Sequence, residues 1–260
     1  MIDIHTHILP GIDDGAQNWE DTLELARAAA KDGIATVIAT PHHANGAYTN
    51  PAGVVAPLVE QANALLQREG VPLTIAAGQE IRAHEGMLEA WTSGELLTLA
   101  GSDYLLLEMP FTSIPRRMGE WIHELRVLGV HPIIAHPERN AEVVKHPRRL
   151  AELIELGACA QVTSGSLLGA FGKRCMQAGW ELCGQGLIHL VSSDAHHHER
   201  RGFYMEEVYA TIARKAGEDL SRYYQANAAA VLHNSPIGPP PENVKIRGES
   251  WNLFSKFFRK

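Results

Sequence analysis

The stretch MIDIHTH, residues 1–7, opens the chain with a short apolar run that ends in two histidines two residues apart. Side chains of a β-strand point to alternate faces, so His5 and His7 would project from the same side. Two adjacent neutral imidazoles are suited to bind a metal ion. Histidines near a chain end can also be exposed without a role. The pair alone does not decide between these two interpretations.

Short apolar runs alternate with segments of helical periodicity along the rest of the chain. Seven runs are predicted to be strands: 1–5, 34–40, 72–77, 103–108, 131–136, 158–163 and 187–194. The predicted helices between them are 19–33, 51–70, 116–129, 147–157 and 172–186. This repeated β-then-α order predicts the α/β fold class, with a parallel sheet or barrel whose strands are buried on both faces.

The composition excludes several classes of protein. The 260 residues carry a formal net charge of -7, which disfavours binding to nucleic acid. The sequence contains no signal-peptide pattern and no apolar run long enough to span a membrane, so we expect a cytoplasmic protein. None of Cys159, Cys175 and Cys183 is followed by arginine six residues later, which excludes the phosphate-binding loop of cysteine-based phosphatases. The 14 histidines instead indicate metal binding.

Candidate metal ligands stand at the ends of six of the seven predicted strands. They are His5 and His7, His42 and His43, Glu80, Glu108, His136, and Asp194 and His196. In a parallel barrel the carboxyl ends of the strands meet on one rim, so we expect these side chains to lie together. Imidazoles mixed with carboxylates suit zinc, manganese or iron. The set is too large for one tetrahedral ion, which predicts at least two ions that share a carboxylate. Such a pair of ions is suited to catalyse hydrolysis and to neutralise charge on phosphoryl oxygens.

Seven motifs carry a resemblance to a known family. They are MIDIHTHILPGIDDGA, ATPHH, GQEI, LLLEMPF, IIAHPERN, QVTSGSL and SSDAH, which occur in family order between residue 1 and about residue 235. The chain resembles the polymerase and histidinol phosphatase (PHP) superfamily, and within it the bacterial capsule-type manganese-dependent protein-tyrosine phosphatases. The resemblance implies the PHP fold, a distorted (β/α)7 TIM-like barrel.

The resemblance also implies a trinuclear metal site. One ion would be held by His5, His7, Glu80 and Asp194, with Glu80 bridging to a second ion that Glu108 and His136 also hold. The third would be held by Asp14, His42 and His196. The expected cofactor is Mn²⁺, as two or three ions, and Fe or Zn also suits these ligands. Apart from the resemblance, Asp14 lies in an Asp-Gly turn and could serve only to form that turn.

Two arginines are similar in position to the phosphate-binding arginines of the family. Arg139 follows His136 by three residues, and Arg201 lies in the loop after Asp194, where the adjacent Arg200 could take its place. A guanidinium group has the forked geometry that suits a phosphate. Asp14, His42 or a water molecule would protonate the leaving oxygen, and the sequence does not rank these three.

The expected function is hydrolysis of phosphotyrosine on a protein, with a bacterial tyrosine kinase of capsule or exopolysaccharide biosynthesis as the expected partner. A small-molecule phosphatase of the histidinol-phosphate type and a non-catalytic kinase regulator remain alternatives. An amidohydrolase would place a bridging lysine at a strand end, where this chain has none of its seven lysines.

A change of composition near residue 235 predicts two parts. Residues 1–235 would form the barrel, and residues 236–260 a Pro-rich linker with an amphipathic, basic and aromatic tail. The tail at 251–260 could dock on its own barrel, on another subunit of an oligomer, or on a membrane surface.

Overall fold

The computed structural model describes residues 1–241 together with residues 244 and 246. Its strands are β1 (Ile2–Thr6), β2 (Thr36–Ala39), β3 (His42–His43), β4 (Thr74–Ala77), β5 (Glu80–Arg82), β6 (Tyr104–Glu108), β7 (His131–Ala135), β8 (Cys159–Thr163) and β9 (Leu190–Ser192). Its α-helices are α1 (Trp19–Lys31), α2 (Ala52–Arg68), α3 (Met87–Thr92), α4 (Met118–Val127), α5 (Ala141–Lys145), α6 (Arg148–Glu155), α7 (Ser164–Leu168), α8 (Lys173–Gly184), α9 (Met205–Ala216) and α10 (Glu218–Leu232).

The strands form a closed, distorted barrel. All of their pairings are parallel, in the orders β1-β2-β4 and β3-β5-β6-β7-β8-β9. A parallel bridge between Thr6 and Ala195 joins the two outer ends, β1 and the end of β9. Because β3 continues the path of β2, and β5 that of β4, the nine short strands occupy seven positions. The predicted (β/α)7 barrel is therefore confirmed, with two of its strands broken in the middle.

A proline and a glycine lie at the two breaks. Pro41, between β2 and β3, has no N–H to give to a neighbouring strand, and its carbonyl accepts from Glu80 N at 3.1 Å. Gly78, between β4 and β5, lies where a Cβ atom would come within 2.9 Å of Ile38 Cγ2 and 3.3 Å of Ala39 O. The shifted strands β3 and β5 then pair His42 directly with Glu80. The breaks thus bring two predicted ligands side by side.

The helix α1 shows how local sequence fixes an element. Its N-cap, Asn18, accepts hydrogen bonds from the backbone N–H groups of Glu20 and Asp21, which is a preferred role of asparagine. Gly33 follows the helix with φ +78°, a conformation that glycine adopts without strain.

One end of the barrel interior is apolar. Buried side chains that point inward from five strands fill it, namely Ile4, Ile38, Leu106, Ile133 and Leu190. Ala228 and Val231 of α10 join this cluster. Alternation along a strand keeps residues i and i+2 on one face, so Glu108 lies on the same side as Leu106 but nearer the carboxyl end. The polar residues therefore collect at the other end of the same interior.

The chain beyond α10 packs against the barrel as far as it is described. The Tyr104 hydroxyl donates to Ser235 O at 2.8 Å and accepts from Ile237 N at 3.1 Å. The division at residue 235 stays a prediction, and the predicted tail at 251–260 lies outside the described residues. None of the helices in the described part is long and apolar enough to cross a membrane.

Candidate metal centre

The structure brings together, at the carboxyl ends of the strands, the nine metal ligands that the family resemblance implies. His43, also a candidate at a strand end, is not among them, and its Nε2 lies 3.5 Å from Glu95 Oε1. The donor atoms of the nine form four overlapping groups in which the atoms lie within 4.8 Å of one another: His7, Asp14, His42 and His196; His5, His7 and Glu80; His5, His136 and Asp194; and His42, Glu80 and Glu108. Most of the nine are buried, and Asp14 is half-exposed at the solvent side.

The two histidines of the opening motif lie at the middle of the cluster. His5 Nε2 is 3.4 Å from both Glu80 Oε2 and Asp194 Oδ1. His7 Nε2 is 3.4 Å and 3.3 Å from the same two oxygens. Two imidazoles and two carboxylates therefore point their donor atoms at one common space, as the spacing of the two histidines predicts.

The remaining ligands surround this space. His136 Nε2 lies 2.8 Å from Glu80 Oε1, and His42 Nδ1 lies 2.8 Å from Glu80 Oε2. On the outer side, Asp14 Oδ1 is 3.5 Å from His42 Nε2 and 3.4 Å from His196 Nε2. Glu80 is thus the carboxylate best placed for sharing between ions. His7 and His42 each belong to two groups, so the geometry does not divide the ligands into three separate sets.

Several observations test whether cations fit here. The buried atoms Asp194 Oδ1 and His196 Nε2 have no hydrogen-bond partner among the residues that the structure describes. Burial and the nearby Glu80 carboxylate raise the pKa of Glu108. Burial also opposes the charge of Glu80, but His5, His42 and His136 outweigh it and lower the pKa of this carboxyl well below its usual range. A divalent cation would offset the electrostatic repulsion between two carboxylates so close together, and the mixed set of imidazole and carboxylate donors fits such ions.

Two polar partners that sequence analysis did not identify orient the central histidines. Asp13 Oδ2 lies 2.7 Å from His7 Nδ1, and Gln161 Oε1 lies 3.1 Å from His5 Nδ1. When Nδ1–H donates to these oxygens, each Nε2 presents its lone pair to the cluster. The inward orientation of Gln161 could have been inferred from strand alternation. Gln161 lies two residues before Thr163, the last residue of β8, so both side chains lie on the same face of the strand. The only signal for Asp13 in the sequence is its place in the acidic DDG turn, residues 13–15.

Glycine allows the acidic turn to pack closely on the first strand. A Cβ atom at Gly15 would lie 2.0 Å from His7 O, which no side chain tolerates. The Gly15 N–H also donates to Asp13 Oδ1 at 2.9 Å. The DDG turn is therefore more than a chain reversal, since it places one carboxylate on His7 and the next, Asp14, beside His42 and His196.

Both predicted arginines contact the same predicted ligand, Asp194. Arg139 Nη1 donates to Asp194 Oδ2 at 2.6 Å and Nη2 donates to Thr163 Oγ1 at 3.0 Å, while Arg201 Nη2 donates to Asp194 Oδ2 at 2.5 Å. The pKa of Asp194 is well below its usual range because His5 and these guanidinium groups outweigh the effect of burial. The adjacent Arg200 is exposed, so the structure places Arg201 at the centre.

A third arginine, which sequence analysis missed, also reaches the centre. Arg82 at the end of β5 places Nη2 2.9 Å from Glu108 Oε2. Nothing in the local sequence around Arg82 distinguishes it from a surface arginine. Its position follows from the register in which Arg82 pairs with Glu108 across β5 and β6.

An open cavity of about 480 Å³ adjoins the outer side of the centre. The side chains that line it come from the acidic turn, from α1 and from the loop after β9, and include Asp14, Gln17, Asp21, His196, His198 and Arg201. Two of the predicted metal ligands, Asp14 and His196, thus line a cavity that opens to solvent.

Comparison with known proteins identifies relatives along nearly the whole chain. The family model for capsular polysaccharide synthesis, CpsB/CapC, matches residues 1–233. The tyrosine-protein phosphatase YwqE of Bacillus subtilis is 42% identical over 248 residues, which cover 95% of this chain and 98% of YwqE. The putative tyrosine-protein phosphatase CapC of Staphylococcus aureus is 32% identical over 251 residues, covering 96% of this chain and 98% of CapC.

A solved structure agrees with these sequence matches. It comes from the crystal structures of YwqE from Bacillus subtilis and CpsB from Streptococcus pneumoniae, described as unique metal-dependent tyrosine phosphatases. It matches this fold with a TM-score of 0.90 at 40% identity and covers 96% of this chain and 100% of its own. The resemblance inferred from the seven motifs is confirmed, and the chain belongs to the CpsB/CapC family of capsular polysaccharide synthesis.

Proposed function

We propose that this chain is a metal-dependent protein-tyrosine phosphatase, a phosphoric monoester hydrolase. The observation that supports the proposal most directly is that Arg139 and Arg201 both hydrogen-bond Asp194. This residue lies at the edge of a cluster of five imidazoles and four carboxylates. Guanidinium groups next to a multinuclear metal centre are suited to bind and cleave a phosphomonoester. The names of YwqE and CapC, relatives over nearly the full length, support the same activity.

The nine clustered side chains would hold two or three divalent ions, with Glu80 shared between them. Manganese is the metal that the family resemblance favours, and iron or zinc also suits the donor set. When bound, such ions lower the pKa of water enough to supply a nucleophile at neutral pH and offset the negative charge of phosphoryl oxygens. Gln161 and Asp13 hold His5 and His7 with Nε2 free for this role.

Arg139 and Arg201 would bind the non-bridging oxygens of the phosphate. Arg139 is the better fixed of the two, because its side chain is 11% exposed and bonds both Asp194 and Thr163. The side chain of Arg201 is 31% exposed, and its guanidinium group hydrogen-bonds only Asp194 among the described residues. We therefore assign the main positioning role to Arg139 and a supporting role to Arg201.

The leaving oxygen needs a proton, for which Asp14, His42 and water are the candidates. The adjacent His196, whose Nε2 lies 3.4 Å from Asp14 Oδ1, holds the pKa of Asp14 far below its usual range, so this carboxyl is ionised at neutral pH. An ionised carboxylate accepts a proton rather than donating one. His42 is itself assigned to the ions, with Nδ1 near Glu80 and Nε2 near Asp14, so we favour a water molecule beside these residues.

The natural substrate would be a phosphotyrosine protein, and a bacterial tyrosine kinase of capsule or exopolysaccharide biosynthesis is the partner we propose. The family name, which refers to capsular polysaccharide synthesis, supports this assignment. Phosphotyrosines on such a kinase would be exposed to the cytoplasm, so this partner implies a cytoplasmic enzyme.

The test is phosphate release from a phosphotyrosine peptide. The protein is stripped of metal with a chelator and then resupplied with Mn²⁺, and Arg139→Ala is measured beside Val127→Ala, a surface change at the opposite end of the barrel. We expect activity to return with metal in the wild type and in Val127→Ala, and to be lost in Arg139→Ala. Release from histidinol phosphate but not from the peptide would indicate a small-molecule phosphatase, and no release with metal bound would indicate a regulatory protein.

A further inference from the structure

Two large aromatic side chains are exposed beside the metal centre. Phe111 lies three residues after the ligand Glu108 and is 53% exposed, and Phe171 lies in the loop after α7 and is 39% exposed. Single exposed apolar residues are common on protein surfaces. These two differ because each contacts a residue of the site, which indicates a role at its entrance.

Phe171 lies against both arginines. The Arg139 Cζ is 4.2 Å from the centre of the Phe171 ring, and the Arg201 Cζ is 5.8 Å from it. A cation over the face of an aromatic ring is attracted to it. The ring itself rests on Gly165, where a Cβ atom would come within 3.0 Å of Phe171 Cε2. The absence of a side chain at Gly165 therefore allows the ring to reach the arginines.

Phe111 lies beside the ligand His136. Their ring centres are 6.0 Å apart, with an angle of 31° between the planes. Two hydrogen bonds tie the main chain of this segment to the loop that carries Arg139: Ala141 N donates to Phe111 O at 2.7 Å, and Asn140 Nδ2 donates to Pro110 O at 2.6 Å. The position of the Phe111 ring is thus coupled to the loop that holds His136 and Arg139.

The two rings belong to different loops and adjoin the same short segment, residues 136–139. One lies next to the ligand at its start and the other next to the arginine at its end. His136 is one of the side chains assigned to the ions, and Arg139 is assigned to the phosphate. An exposed phenyl ring therefore lies beside a residue assigned to the ions and beside a residue assigned to the phosphate.

We propose that Phe111 and Phe171 form an aromatic wall that selects aryl phosphomonoesters, and hence phosphotyrosine over phosphoserine. This inference rests on the proposed function and adds the residues that set its substrate class. A tyrosyl ring can pack edge-to-face or offset against these phenyl rings. The short alkyl ester of phosphoserine leaves both rings exposed to water, so it gains nothing from the wall.

The first test measures binding without catalysis. Phenylphosphonate and methylphosphonate carry the same anionic head group and differ in the aromatic ring, and calorimetry gives the Kd of each for the Mn²⁺-loaded protein. We expect the wild type to prefer phenylphosphonate. Phe111→Leu and Phe171→Leu should each reduce that preference by about fivefold while the Kd for methylphosphonate stays within about twofold. Val127→Ala is the matched surface control and should keep the wild-type preference.

The results separate the roles of the two rings. An unchanged preference in both variants would overturn the proposal. Equal weakening of both phosphonates by Phe171→Leu would mean that this ring acts only by holding Arg139, and the wall would lose that member. Phe111 is free of this ambiguity, because among the described residues its ring contacts His136 and neither arginine.

A second measurement separates this proposal from the proposed function. The kcat/KM values for one peptide, prepared with phosphotyrosine or with phosphoserine, are compared in the wild type and both variants. A phenyl preference in binding without hydrolysis of the phosphotyrosine peptide would contradict the phosphatase activity and leave the wall intact. Hydrolysis of that peptide at wild-type kcat/KM in both variants would overturn the wall and leave the phosphatase activity intact.

Discussion

The two ends of the barrel interior are built from the same strands and differ in chemistry. On β6, Leu106 belongs to the apolar cluster and Glu108, two residues later, belongs to the candidate metal centre. Beyond β9 the change is the same, from Leu190 at its start to Asp194 after its end. One end therefore consists of packed hydrocarbon and the other of buried ionisable groups.

This difference separates what stabilises the fold from what performs the chemistry. Burial of apolar side chains stabilises the folded state without dependence on metal. Buried carboxylates and imidazoles cost free energy unless they are paired or bind a cation. We therefore expect changes at the apolar end to affect the free energy of unfolding, and changes at the polar end to affect activity and metal binding.

The largest effect should follow from Asp194→Asn. This change removes the charge that faces His5 and His7 and that both arginines contact. We expect kcat/KM for a phosphotyrosine peptide to fall on the order of a thousandfold, about 4 kcal/mol of transition-state stabilisation. Far-UV circular dichroism controls for folding, and activity within tenfold of the wild type would contradict the role of Asp194.

At the apolar end the matching change is Leu106→Ala. Truncation of this fully buried side chain should lower the free energy of unfolding by about 3 kcal/mol, because it removes apolar contacts and leaves a cavity. Urea denaturation measures the loss. The activity of the remaining folded protein should stay within about threefold of the wild type. A collapse of activity in a variant that is still folded would show that the two ends are not separable.

The two arginines allow a finer comparison within the polar end. Arg139→Lys should lower kcat/KM about a hundredfold, and Arg201→Lys about tenfold, because an ammonium group cannot reproduce the forked contacts and Arg139 is the more buried. Steady-state kinetics with one phosphotyrosine peptide compares the two directly. Equal effects would contradict the ranking of these residues.

A smaller effect concerns pH, through a histidine away from the metal centre. His189 precedes β9, and burial lowers its pKa to about 4; its Nδ1 accepts from Ala160 N at 3.2 Å. An unfolded histidine has a pKa near 6.5, so between this value and about 4 the unfolded state binds more protons than the folded state. The free energy of unfolding therefore falls as the pH decreases through this range. Between pH 7 and pH 5 the loss should be roughly 2 kcal/mol.

The variant His189→Gln isolates this contribution. Its free energy of unfolding should depend less on pH in this range than that of the wild type, and urea denaturation of the metal-free proteins at pH 5, 6 and 7 gives the difference. An identical pH dependence in both proteins would show that His189 is not held neutral by burial.

Much of the fold and of the candidate site follows from local sequence. A strand in a barrel is a short apolar run, and the residue that follows it lies on the rim, so the positions of Glu108, His136 and Asp194 could be predicted without any knowledge of their contacts. The seven strand positions were predictable for the same reason. Capping residues such as Asn18 likewise act within one turn of helix.

The remaining features depend on contacts between distant parts of the chain. The break at Gly78 exists because Ile38 and Ala39 occupy the space of a side chain there. Arg82 reaches the centre only through its register with Glu108. Ser166 of α7 donates to the buried Glu138, 28 residues earlier in the chain, at 2.6 Å. None of these contacts leaves a periodic or compositional pattern in the sequence.

The central claim is that the clustered ligands hold divalent ions that phosphotyrosine hydrolysis requires. The most direct measurement is a titration of the metal-free protein with Mn²⁺, in which bound metal per chain and phosphate release from a phosphotyrosine peptide are measured at each step. We predict that activity rises with occupancy and saturates at two or three ions per chain. Full activity in the metal-free protein, or a saturated centre that releases no phosphate, would contradict the claim.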